Sequence, residues 1–152
     1  MEKTLVLIKP DAVKRQLTSK ILARFEDKGL KIVALKLMQL PKEKAMDHYA
    51  EHKKKPFFDG LVSFITSSPI VAIVLEGKDA VTVVRTMMGT TNPRDAAPGT
   101  IRGDFAMDLG RNVIHGSDSV YSAEREIKIF FEDHEVLDYE RVVDRDIYEN
   151  LE

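Results

Sequence analysis

Thr4-Leu5-Val6-Leu7-Ile8, closed by Lys9-Pro10, is a short β-branched and leucine run that reads as a buried strand. Ile70 to Leu75 repeats the pattern, with Glu76-Gly77 turning the chain behind it. Helical spacing fills the ground between them. Leu17, Ile21 and Phe25 recur every four residues with Leu22 beside them, and Gly29 suits the residue just past a helix end. Leu30 to Leu40 is a longer, more alternating strand, and Pro41 suits the first turn of a helix whose face is Ala45, Met46 and Tyr49. After Lys53-Lys54-Lys55-Pro56, the residues Phe57, Leu61, Phe64 and Ile65 mark another helical face, stopped by Ser67-Ser68-Pro69. Asp79 to Met88 is helical through Ala80, Val84, Met87 and Met88. Ser122 is placed to cap a short helix, and Ile127 to Phe131 reads as a last strand. The order β-α-β-α-α-β-α-loop-α-β predicts an α+β fold, an α/β sandwich of the ferredoxin-like, split β-α-β kind. A four-stranded antiparallel sheet is covered by helices, in a single domain over residues 1–152.

The 152 residues suffice for one proper core, and 43% hydrophobic with 32% charged residues is an ordinary balance for a water-soluble domain. A formal net charge of −2 excludes a global positive field that would draw in nucleic acid or an anionic membrane, so a polyanionic ligand needs a local basic pocket. Without cysteine there are no disulfides, thiolate metal sites or cysteine nucleophiles. The start, Met1-Glu2-Lys3-Thr4, leads into an apolar run too short to span a membrane and lacks a secretion-signal layout, so a cytoplasmic location is expected. From Gly89 to Arg111 periodicity dissolves into a long loop carrying Thr91, Arg94, Arg102 and Asp104; a loop of that length points to function. Beyond Phe131 the chain is charged, with Val136, Leu137, Val142, Val143 and Ile147 as docking points.

The chemistry centres on Asn112-Val113-Ile114-His115-Gly116-Ser117-Asp118-Ser119. Imidazole has an unperturbed pKa of about 6.5, so His115 is neutral and nucleophilic near neutral pH. Its second nitrogen must be held as a donor if the attacking one is to keep its lone pair. Glu126 is the best nearby orienting group, Ser117 could link the two, and Gly116 allows close approach of a bulky group to the backbone. A satisfied histidine in a turn is the plainer alternative. Lys9, at a strand end where ligand crevices open, and Arg85, Thr91 and Arg102 are suited to phosphate; each alone reads as an ordinary surface group, but together with a histidine nucleophile they point to phosphoryl transfer. Neither a Gly-x4-Gly-Lys-Ser/Thr loop nor the protein-kinase motifs occur. Phe57 could stack on a base, whereas Phe58, Phe64 and Ile65 read as core. His48, His52 and His134 show no partners at metal spacing, so no protein-built metal site is expected.

Asn112 to Ser119 resembles the signature of the nucleoside diphosphate kinases. Thr4 to Asp11, Lys55 to Phe58, Thr91-Asn92-Pro93, Pro98 to Asp104 and Gly110-Arg111 look like blocks of that family in the family's order. The resemblance implies transfer of the terminal phosphate of a nucleoside triphosphate to a nucleoside diphosphate, by a ping-pong route through phosphorylated His115 and with broad base tolerance. Carried over by position, Lys9 and Asn112 would hold the sugar hydroxyl and nearby phosphate oxygens, and Tyr49 would sit beside the nucleophile. Arg85, Thr91 and Arg102 would bind phosphates, Phe57 would stack on the base with Leu61 lining that cleft, and Ser117 and Glu126 would position His115. It also implies Mg²⁺ held mainly by nucleotide phosphates and water, and a homo-oligomer, with the long tail and Pro93 looking more like the hexameric than the tetrameric branch. Ala12, Gln16, Ser19 and Leu109 depart from the family's common residues, the first three from glycines and the last from valine. Two rivals are a binding or regulatory module with an idle site, and a relay that passes phosphate from histidine to proteins. The complete residue set disfavours the first, and the net charge disfavours nucleic acid as main partner.

Overall fold

A computed structural model describes residues 1–151. Strands β1 (Glu2–Ile8), β2 (Lys31–Met38), β3 (Ile70–Gly77) and β4 (Ile114–Gly116) form one antiparallel sheet in the order β2-β3-β1-β4. β3 thus pairs with both β1 and β2 and splits the β1-helix-β2 unit, which is the expected α+β topology. Both faces of the sheet are covered. On one, Val6, Ile8, Val71, Ile73 and Leu75 meet Ile21 and Phe25 of α2 (Thr18–Lys28) and Ala80, Val84 and Met88 of α5 (Ala80–Met88). On the other, Leu5, Leu7, Ala72 and Val74 meet Ala45 of α3 (Lys42–His48), Phe58, Val62 and Ile65 of α4 (Phe58–Ile65) and Phe130 of α7 (Val120–Phe130). Two-sided burial is why the central strands are continuous apolar runs: Thr4 through Ile8 have no exposed surface at all.

Four readings of the sequence need correction. Ile127–Phe131 is not a strand; all but Phe131 belong to α7, whose buried residues Ala123, Glu126 and Phe130 follow helical spacing. The fourth strand is instead Ile114–Gly116, which carries His115. The cap of α7 is Ser119, whose hydroxyl accepts from the Ser122 amide at 3.0 Å, so Ser122 lies inside the helix. In α4 the inward face is Phe58, Val62 and Ile65; Phe57 is 51% exposed, and Phe64 is half-buried beneath the Arg111 guanidinium, 4.2 Å from its ring centre. The stretch from Gly89 to Arg111 is not wholly loop, since it holds a 3₁₀ turn at Pro93–Asp95 and the short α6 (Ile101–Phe105). A five-residue α1 (Pro10–Lys14) follows β1 directly.

Gly29 closes α2 at φ +105°, as its place past the helix predicted. The tail folds back on this edge: the Leu137 amide donates to the Val33 carbonyl at 2.9 Å, Arg141 reaches the Gly29 carbonyl at 3.0 Å, and Ile147 of α8 (Asp144–Ile147) packs on Gly29. Val142 and Val143 remain exposed. Gln16 occupies the left-handed region at φ +61°, a conformation that glycine adopts without penalty. Gln16→Gly is expected to raise stability by up to about 1 kcal/mol, part of the relief being offset by greater freedom of the unfolded chain. A thermal or denaturant melt checks this, and a lowered midpoint would contradict it.

Candidate active site

β4 pairs His115 with Leu7 of β1. Strand alternation sends its neighbours Ile114 and Gly116 to the α5 side, where Ile114 joins the core and Met88 fills the space a side chain at Gly116 would need. The group closely approaching Gly116 is therefore a core methionine rather than a ligand. His115 faces the opposite side, toward α3 and α7. It is aimed by an unusual turn: the Ile114 amide donates to the Asn112 carbonyl at 2.8 Å, closing a three-residue loop centred on Val113 at φ +64°. A β-branched residue in that region is strained. Buried hydrogen bonds hold it there, from the Val113 amide to Asp11 Oδ2 at 3.1 Å and from the Lys9 amide to the Val113 carbonyl at 2.9 Å.

His115 Nε2 lies 2.9 Å from Glu126 Oε1, and the Ser117 hydroxyl donates to the same oxygen at 2.7 Å. Burial alone would raise the Glu126 pKa. The hydrogen bond and charge of His115 and the Ser117 bond outweigh it and hold the carboxyl below its usual value. A carboxylate can only accept, so Nε2 carries the hydrogen, and in the neutral form of the ring Nδ1 keeps its lone pair. The His115 side chain is 23% exposed, which leaves a path to it.

Lys9 donates to Asn112 Oδ1 at 2.8 Å, and the Asn112 amide group donates to the Thr91 carbonyl at 3.1 Å, tying strand end, long loop and β4 together. Arg102, in α6, is almost fully buried and directs three of its five N–H donors at the carbonyls of Asn112, Ile114 and Gly89, so it braces the turn and keeps two donors for a ligand. Arg85, exposed on α5, reaches the Gly116 carbonyl at 3.3 Å. These cations feel one another. Burial, then the charge of Arg102, lowers Lys9 to about 8, while burial, then the charge of Arg85, lowers Arg102 to about 10. Such a cluster stores repulsion that a polyanion relieves.

Tyr49 lines the His115 cleft beside Arg85, Asp118, Arg125 and Glu126. Burial and the charge of Glu126 push its hydroxyl up to about 12, so it stays protonated. The cleft, about 200 Å³, holds a phosphoryl group but not a nucleotide. Phe57 and Leu61 do not line this cleft; they stand one turn apart at the start of α4, Phe57 next to the His52 ring at 5.5 Å.

The residue that sequence reasoning missed is His48. It is 6% exposed, and its ring meets that of His115 edge-on at 4.6 Å between centres, with Tyr49 and Phe130 on other sides. Burial, then the nearby His115, lowers its pKa to about 3, so it is neutral. One donor atom each from His48, His115 and Glu126 lie within 4.8 Å of one another, which corrects the reading that His48 has no partners at metal spacing. Nothing in the sequence spacing signals a meeting of α3, β4 and α7.

Among the described residues no helix is long and apolar enough to cross a membrane. The family model for nucleoside diphosphate kinase matches residues 2–136. The chain is 58% identical over 149 residues to a nucleoside diphosphate kinase of Methanothermobacter thermautotrophicus, covering 98% of this chain and 99% of that one. It is 60% identical over 149 residues to one of Desulforamulus reducens, covering 98% and 100%. Among solved structures it resembles a halophilic nucleoside diphosphate kinase from Halobacterium salinarum in complex with CDP, with a TM-score of 0.95 and 54% identity over 97% of this chain and 98% of that one. Likeness this complete in both sequence and fold places the chain in the nucleoside diphosphate kinase family.

Proposed function

We propose that the chain, as a single domain over residues 1–152, transfers the terminal phosphate of a nucleoside triphosphate to a nucleoside diphosphate in two half-reactions through His115. The observation that carries this is the Nε2–Glu126 hydrogen bond of 2.9 Å, which leaves Nδ1 as the free nucleophile. Its lone pair attacks the γ-phosphorus, the bond to the β–γ bridging oxygen breaks, and the first diphosphate leaves with those electrons. A terminal oxygen of the second diphosphate then attacks the phosphohistidine and the N–P bond breaks back to Nδ1. Glu126, with Ser117, stabilises the charge that grows on the ring. Lys9, Arg85, Thr91, Arg102 and Asn112 bind phosphates and sugar, and Tyr49 offers its hydroxyl beside the nucleophile.

The donor set fits a magnesium ion that arrives with the nucleotide. The cleft is rich in cations, and Glu126 is engaged by His115 and Ser117, which leaves the exposed carboxylates of Asp118 and Glu51 in the cleft lining for a hydrated ion. Bound Mg²⁺ would offset the charge of the transferring phosphates. Phe57, half-exposed at the head of α4 with Leu61 a turn later, supports stacking on any base. The part of β2 beyond the tail's contact, with Leu35 and Leu37 exposed, supports assembly into a homo-oligomer, and the long tail and Pro93 favour a hexamer over a tetramer; the cytoplasm is the expected location. Light scattering separates the two assemblies.

Incubation with γ-labelled triphosphate is expected to leave label on the protein that is lost in acid and kept in base, and that any nucleoside diphosphate discharges at once. Acid-stable label would point to a hydroxyl such as Ser117, and discharge only by other proteins would favour the relay. Specificity constants among bases should span about tenfold, and several hundredfold for one base would contradict stacking. Lys9→Met is expected to raise KM for nucleotides about tenfold. The lowered Lys9 pKa means that burial disfavours its charge below about pH 8, so folding stability from this group rises as pH climbs from about 8 toward 10.5. Lys9→Met should therefore flatten the alkaline rise in stability, and a pH series of melts reads it.

A further inference from the structure

We propose that His48, His115 and Glu126 form a binding site for a zinc-class transition-metal ion, and that occupation of the site blocks phosphotransfer. The donor set, two imidazoles and a carboxylate, suits zinc, cobalt and nickel, whereas magnesium prefers oxygen ligands and retains its water. The three side chains come from α3, β4 and α7 and converge to within 4.8 Å, one donor atom from each. Zinc–nitrogen bonds of about 2.0–2.1 Å require that spacing to draw in by roughly 1.5 Å, within the reach of small side-chain rotations.

His48 supplies the independent sign that something is to be bound. It is buried among Tyr49, His115 and Phe130, yet neither ring nitrogen has a hydrogen-bond partner. An unsatisfied buried polar group of this kind costs about 1–3 kcal/mol, and a metal ion accepts its lone pair. The nearby charges set the strength. Glu126 favours the ion, while Lys9, Arg85 and Arg125 oppose it, so the site suits reversible binding rather than a resident ion. Mg²⁺, which the nucleotide needs, does not compete.

The block follows from tautomer chemistry. An ion entering beside Glu126 replaces the hydrogen on His115 Nε2, and the neutral ring then carries that proton on Nδ1, where the lone pair was. An ion on Nδ1 covers the nucleophile directly. Binding stands on geometry alone; the inhibition rests on His115 being the nucleophile.

The test is titration of the untagged full chain with Co²⁺ in millimolar Mg²⁺ and without nucleotide. One ion per chain is expected, with visible bands of a low-symmetry nitrogen–oxygen site and paramagnetic broadening strongest for the His48 and His115 ring resonances, weaker for His52 in the same cleft, and least for His134 outside it. His48→Phe keeps ring packing and removes both nitrogens; it should weaken binding thirtyfold or more, and His48→Gln gives a second reading if the first folds poorly. Displacement by Mg²⁺, strongest broadening at His52 or His134 instead, or full binding by a folded His48 variant would overturn the site. Binding at this cluster with undiminished phosphotransfer would keep the site, remove the block and count against His115 as nucleophile.

Discussion

His115→Ala is expected to lower phosphotransfer by roughly 10⁴-fold or more, because His48, the imidazole beside it, is buried and has no hydrogen-bond partner to aim its lone pair. The fold should survive. β4 is three residues long, and its hold on β1 runs through backbone bonds and the burial of Ile114, none of which needs the imidazole. Steady-state turnover and a denaturant melt separate the two effects: the unfolding free energy should stay within about 1 kcal/mol of the parent while turnover disappears. Loss of turnover at an unchanged KM, with no labelled intermediate, is the full signature. Appreciable turnover in the variant would end the assignment of His115 as nucleophile.

Glu126→Ala should cost roughly 10² in turnover, since a nucleophile displaced by about an ångström loses on that order. The change frees His115 Nε2 and the Ser117 hydroxyl together, because one carboxylate oxygen accepts from both. Glu126→Gln keeps an acceptor of the same shape and discards the charge, so its turnover should lie between parent and alanine variant. That ordering separates orientation from electrostatics. Ser117→Ala, which leaves the His115 bond in place, should cost less than either. Equal activity in parent and alanine variant would show that the ring is positioned by packing against His48 alone.

Residues with periodic or chemical signatures were readable. The strands around Leu5 and Ile73, the helix through Ile21 and Phe25, and the grouping of His115 with Glu126 and Ser117 all follow from spacing and chemistry, and the structure agrees. Ile127–Phe131 misled because Ile127, Ile129 and Phe131 alternate as a strand does, although Ala123, Glu126 and Phe130 face inward on a helix. β4 left no periodic trace, since three residues are too few, and the turn before it depends on Asp11, about a hundred positions away. His48 could not be read as a neighbour of His115 because their approach is made by tertiary packing. Arg102 was readable as a cation for phosphate; its bonds to three backbone carbonyls were not.

The strained turn at Val113 also bears on which state of the molecule is idle. Its φ of +64° is imposed by Asp11 and Lys9 across the strand gap rather than by local preference, and β4 is the shortest strand, at the margin of the sheet. Segments of that kind open at lower free energy than the central strands they lean on. The nucleophile is thereby carried by the shortest strand of the sheet, and its aim depends on bonds from Asp11, Lys9 and Arg102 to a single turn, so loss of those bonds would release the ring while β1 and β3 stay paired.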